Sequence, residues 1–64
     1  MKEADIITAA WSERMKEAYA VFAQNWVAAN GDPVLQQAAE DSFRTAVKNA
    51  KQIKERALSI VLGA

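Results

Sequence analysis

The tetrapeptide Asn30-Gly31-Asp32-Pro33 stands near the middle of a 64-residue chain, and no other glycine or proline occurs before Gly63. It reads as a helix stop followed at once by a helix start. Gly31 can take the left-handed conformation that ends a helix, Asp32 can cap the next one by accepting a backbone N–H, and Pro33 suits a first helical position, where no donor is needed. Ala, Glu, Lys, Gln and Leu dominate on both sides and favour helix. The fold class is therefore all-α: a helix over about 3–29, a turn at 30–32 and a helix over about 33–62. Two helices of nearly equal length, each about 40 Å at 1.5 Å per residue, joined by so short a turn, fold back as an antiparallel hairpin.

Hydrophobic spacing selects a face on each helix. In the second half Leu35, Ala39, Phe43, Ala46, Ala50, Ile53, Ala57 and Ile60 recur every three or four residues, while Gln37, Glu40, Asp41, Arg44, Lys48, Lys51 and Glu55 project to the other side. The first half repeats the pattern with Ile7, Trp11, Met15, Ala18, Phe22, Trp26 and Ala29, whose large members can face the alanines opposite. These two rows are the expected hairpin core, with Phe22, Trp26 and Phe43 buried and Trp11 toward the open end. The chain reads as a single domain, and a domain this small buries a small share of its surface and needs a staple. With no cysteine and no histidine, neither a disulfide framework nor the usual structural zinc site can be built. Oligomerisation remains, and two hairpins with their stripes turned inward would make a four-helix bundle.

Two stretches carry no charge although a quarter of the chain is charged. Residues 18–31, AYAVFAQNWVAANG, place Ala20, Ala23 and Val27 on the side opposite Trp11, Ala18, Phe22 and Ala29. Small side chains at that spacing let another helix approach closely. Residues 57–64, ALSIVLGA, carry Leu58, Ile60, Val61 and Leu62 around the whole helix, beside Ile6, Ile7 and Trp11 in an antiparallel hairpin. Contiguous apolar patches are seldom left bare on isolated soluble proteins. Ala20, Ala23, Val27, Leu58, Val61 and Leu62 are thus the candidate assembly surface. Two different adhesive surfaces on one subunit permit heterologous contacts, which close into rings or run on as filaments or tubes.

Chemistry finds little support in the residue types. The commonest general base and the strongest nucleophile are both missing. Glu13 and Glu17 share a helix face but are surrounded by Arg14 and Lys16, which reads as a solvated charge patch. Ser12 and Ser42 have no base to activate them, and no glycine-rich loop offers a phosphate cradle. The chain is read as a non-enzyme with no catalytic residue, cofactor or metal. Eight basic residues balance eight acidic ones, so no overall field draws it to nucleic acid or to an anionic membrane. Arg44, Lys48, Lys51, Lys54 and Arg56 form a basic row that phosphate binding could use, but Glu40, Asp41 and Glu55 interrupt or adjoin it. The N-terminal MKEADIITAAW lacks the basic-then-apolar layout of a secretory signal, and no stretch supplies the roughly 20 apolar residues of a membrane span. The cytoplasm is the default expectation.

A small helical hairpin with a central Asp32-Pro33 turn followed by Leu35 is similar in layout to secretion-needle subunits. The match covers those few residues, and it illustrates an architecture without identifying a family. The resulting expectation is a structural subunit that associates with itself, as a dimer or a larger assembly. The alternative is a dimeric four-helix-bundle adaptor that docks on another protein or, through Lys48 and Lys51, on nucleic acid.

Overall fold

The computed structural model describes residues 2–63 and contains two helices, α1 (Lys2–Ala29) and α2 (Pro33–Val61), with no strand among the described residues. They pack antiparallel as a hairpin whose Cα atoms fill an envelope of 47 × 16 × 7 Å. Such a slab is one helix thick and has two broad faces. Both outer ends differ by one residue from the boundaries read in the sequence. α1 begins at Lys2, with Glu3 and Asp5 in its first turn where acids favour the helix dipole. α2 gives way at Leu62, whose N–H still donates to Leu58 O at 2.9 Å, and Gly63 then turns to φ 77°.

The turn is built from local hydrogen bonds. Asn30 N–H donates to Val27 O at 3.1 Å and Asp32 N–H to Ala29 O at 2.9 Å. Asn30 and Gly31 both have positive φ, 50° and 83°. The left-handed stop thus spans two residues, and asparagine is among the few side chains that enter this region readily. Asp32 is extended, and its Oδ1 accepts the Val34 N–H at 2.9 Å, so the cap satisfies a donor that the helix itself leaves unpaired. Pro33 opens α2.

Ile7, Trp11, Met15, Ala18 and Phe22 of α1 are half-buried and Ala29 is buried. On α2 the covered positions include 36, 40, 43, 47, 50, 54, 57 and 61, alternating in steps of four and three, with Ala39, Leu58 and Ser59 beside them. Phe22 and Phe43 meet across the seam with ring centroids 4.8 Å apart, and Phe22 also lies 5.9 Å from Trp26 on its own helix. Nearer the open end, Lys54 Nζ sits 4.0 Å from the centre of the Trp11 ring. Lys54 is half-buried there, and its ammonium meets the π face.

Several core assignments need correction. Leu35, Ala46, Ile53 and Ile60 do not face α1: all four are exposed, Ile53 at 61% and Ile60 at 71%. Trp26 is 40% exposed, and Phe22 and Phe43 are only half covered. The cause is a rotation of α2. At about 100° per residue its covered face lies roughly 60° from the middle of the apolar row, so Ala39, Phe43, Ala50 and Ala57 are shared by both faces and the remaining apolar positions turn outward. Gln36, Glu40, Val47 and Lys54 occupy the seam in their place. Leu58 and Val61, read as assembly surface, are half-buried against the hairpin, whereas Leu62 stays exposed. Among the described residues the buried set is Ala29, Ala39 and Ala50, and no large side chain is fully enclosed.

Candidate interaction surface

The apolar positions that α2 turns away from α1 do not scatter over the surface. Leu35, Ala46 and Ile53 join one broad face of the slab. Three shallow depressions lie along it in series, with a central trough of about 430 Å³. Arg14, Ala50 and Ile53 are common to the central trough and the one nearer the open end, and Asn25, Ala39 and Ser42 are common to the central trough and the one nearer the turn. The face is therefore continuous from Ile7 to Leu35. α1 contributes Ile7, Ala10, Val21 and Ala28 to it, and α2 contributes Leu35, Ala38, Ala46 and Ile53.

Charge is sparse on this surface. Lys54 lines one end, its ammonium already over Trp11, and the other charged side chains lining it are Arg14 and Glu17 near the middle of α1. The Trp11 indole Nε1, at the same end, is buried with no protein acceptor. A buried donor without a partner costs about 1–3 kcal/mol, so this end of the seam is the less well satisfied one.

The opposite broad face differs in kind. Its depression is lined by Phe22 and Phe43 together with Glu40, Arg44 and Val47. Arg44 donates to Asp41 at 3.0 Å, and Gln37 Nε2 donates to the same carboxylate oxygen, also at 3.0 Å. Of the basic row, Arg44 is thus engaged by Asp41 and Lys54 by Trp11. No group of His, Cys, Asp or Glu positioned to hold a metal ion occurs among the described residues, and no helix there is long and apolar enough to cross a membrane.

The strip of Ala20, Ala23 and Val27 lies along the outer edge of α1. Val27 is 76% exposed, Ala20 is exposed and Ala23 half-buried. The Lys16–Glu13 pair, 3.2 Å apart, marks off the strip toward the N-terminus. The broad apolar face does not stand out in the sequence, although its α1 half has helical spacing: Ile7, Ala10, Arg14, Glu17, Val21, Asn25 and Ala28 follow one another at three and four residues. Arg14, Glu17 and Asn25 hide that row, because polar residues in it look like a solvated side.

No family model, curated protein or solved structure matches the chain. The similarity in layout to secretion-needle subunits stays with the Asp32-Pro33 turn and Leu35.

Proposed function

We propose that this chain is a non-enzymatic structural subunit that associates with itself through its apolar surface. The observation that carries the reading is the absence of any fully enclosed large side chain among the described residues, beside a face that is apolar along the length of the hairpin. Surface area agrees with it. The hairpin exposes 4911 Å², whereas a compact monomer of 7.0 kDa exposes about 4,000 Å² by the usual scaling with mass. The excess, about 900 Å², is close to the roughly 800 Å² that each partner covers in a standard interface.

Growth beyond a pair would use the separate strip of Ala20, Ala23 and Val27, which lies off the broad apolar face and leaves a paired subunit with a second contact. Such contacts extend into a filament, tube or ring when they do not close. Ala23→Glu is then expected to keep helicity and pairing while abolishing larger particles by light scattering and electron microscopy. Assembly like that of the parent would assign the strip to tolerated alanine.

An adaptor role is the alternative, and its nucleic-acid version is weakened by the engagement of Arg44 and Lys54 within the hairpin. Sedimentation equilibrium from about 1 to 100 μM, the range over which interfaces of this size commonly associate, tests the main reading. A concentration-dependent mass is expected. A monomer that melts cooperatively across this range would overturn it.

A further inference from the structure

We propose that the broad apolar face is occupied by a second copy of this chain, laid antiparallel about a two-fold axis that crosses α1 between Met15 and Lys16, so that Arg14 of each copy pairs with the partner's Glu17. The inference rests on the self-association reading and adds its geometry. Area is sufficient: a face of 47 by 16 Å offers about 750 Å² per copy, near the roughly 800 Å² of a standard interface.

Charge selects the orientation. Neither Arg14 nor Glu17 belongs to an ion pair within the chain among the described residues. They lie one on each side of the midpoint of α1, which runs from Lys2 to Ala29. Residues i and j of two antiparallel copies of α1 centred there face each other when their numbers sum to 31, as 14 and 17 do. A single axis therefore makes both opposite-charge contacts at once. The other two-fold that joins these faces runs along the hairpin and lays α1 on the partner's α2. On α2 this face carries no acid, its base Lys54 already lies over Trp11, and the polar residues beside the middle are the neutral Ser42 and Asn49, so that arrangement would leave Arg14 and Glu17 without an opposite charge, a costly outcome for buried charges.

Side-chain size agrees with the choice. In the first register Ala10 stands opposite the partner's Val21. The contacts Phe22–Phe43 and Trp11–Lys54 set the level of α2, since both pairs of numbers sum to 65. The axis that crosses α1 at 15–16 thus crosses α2 at 49–50, and Ala46 stands opposite the partner's Ile53. In both of these pairs the larger residue meets a small one, as interdigitated helix packing favours.

Charge reversal with sedimentation equilibrium and circular dichroism tests this register. R14E or E17R alone sets like charges against each other twice and is expected to raise the dimer Kd at least tenfold, while R14E/E17R together return it to within about threefold of the parent. Singles that associate like the parent, or a double variant as weak as the singles, would overturn the register and leave self-association standing. A helical but monomeric parent would overturn both, and would leave the face to a different protein. A10C/V21C supplies an independent readout in a chain that has no native cysteine. The two sites lie about 16 Å apart along one helix at 1.5 Å per residue, too far to bridge within a chain, so oxidation is expected to yield a covalent dimer. A product that stays monomeric on denaturing gels would also overturn the register.

Discussion

The two broad faces of the hairpin share the same seam and yet treat their apolar atoms differently. On the polar face Phe22, Phe43 and Val47 share their depression with Glu40 and Arg44, long side chains of a kind that lays an apolar stem along such a surface and keeps its head in water. On the other face the residues beside the seam are Ala10, Ala28, Ala38 and Ala46, with Ile7, Val21, Leu35 and Ile53 standing clear of them. The long charged side chains lining that side are Arg14 and Glu17 at its middle and Lys54 at one end, where its ammonium lies over Trp11. The polar face is finished within one chain, and the alanine-lined face has the relief of a helix surface that takes ridges from another helix. Apolar content by itself does not separate the two. The length of the neighbouring side chains does.

The comparison can be broken most severely at the seam that both faces share. Phe43→Ala removes the ring that meets Phe22 at 4.8 Å and is expected to cost about 3 kcal/mol, the low end for such a change because the ring is half-exposed. Urea titration followed by circular dichroism measures it. A loss below about 1 kcal/mol would show that the seam contributes little to stability.

A charge placed on either face sharpens the contrast. Ile53→Glu puts a carboxylate in the middle of the apolar face and is expected to raise the self-association Kd about a hundredfold, or roughly 2.7 kcal/mol. Lys48→Glu, a charge change twice as large on exposed α2 surface away from that face, is expected to leave Kd within about twofold, as surface changes usually cost under about 0.5 kcal/mol. Equal effects from the two substitutions would erase the distinction between the faces.

Turn variants act on neither face and serve as the baseline. Gly31→Val forces a β-branched residue to φ 83° where no atom crowds the new Cβ, so the whole penalty is backbone conformation, about 1–2 kcal/mol. Asp32→Ala removes the acceptor of the Val34 N–H and is expected to cost about 1 kcal/mol. Thermal melts at fixed concentration measure both, with the fully associated species keeping the parent mass. A harmless Gly31→Val would mean that the turn does not need its left-handed residue.

The sequence reading and the structure part company at particular residues. Phe43, Ala50 and Ala57 are apolar, lie in the row picked out by spacing, and are covered in the hairpin. Lys54, one residue beyond Ile53 in that row, carries a charge and therefore reads as solvent-facing, but it is half-buried with its ammonium over the Trp11 ring. Arg14 and Glu17 were legible as a charge patch and invisible as members of a face, because the face exists only once α2 lies alongside α1. Leu58 and Val61 have the composition of an exposed adhesive end, and the outcome depended on which side of α2 turned inward.

What the sequence determined alone was everything decided within about four residues along the chain: two helices, their ends to within a residue, and a turn built from an aspartate cap, a proline and a left-handed glycine. Those interactions run between near neighbours and are the same whatever the helix packs against. The tertiary structure decided the rotation of α2 about its axis. The apolar row on α2 is wider than one helix contact can cover, so sequence spacing permits several rotations, and the choice among them comes from how Phe22, Trp11 and the alanines of the seam fit their partners. The roughly 60° turn that this fit imposes hides half of the row and leaves Leu35, Ala46, Ile53 and Ile60 outside.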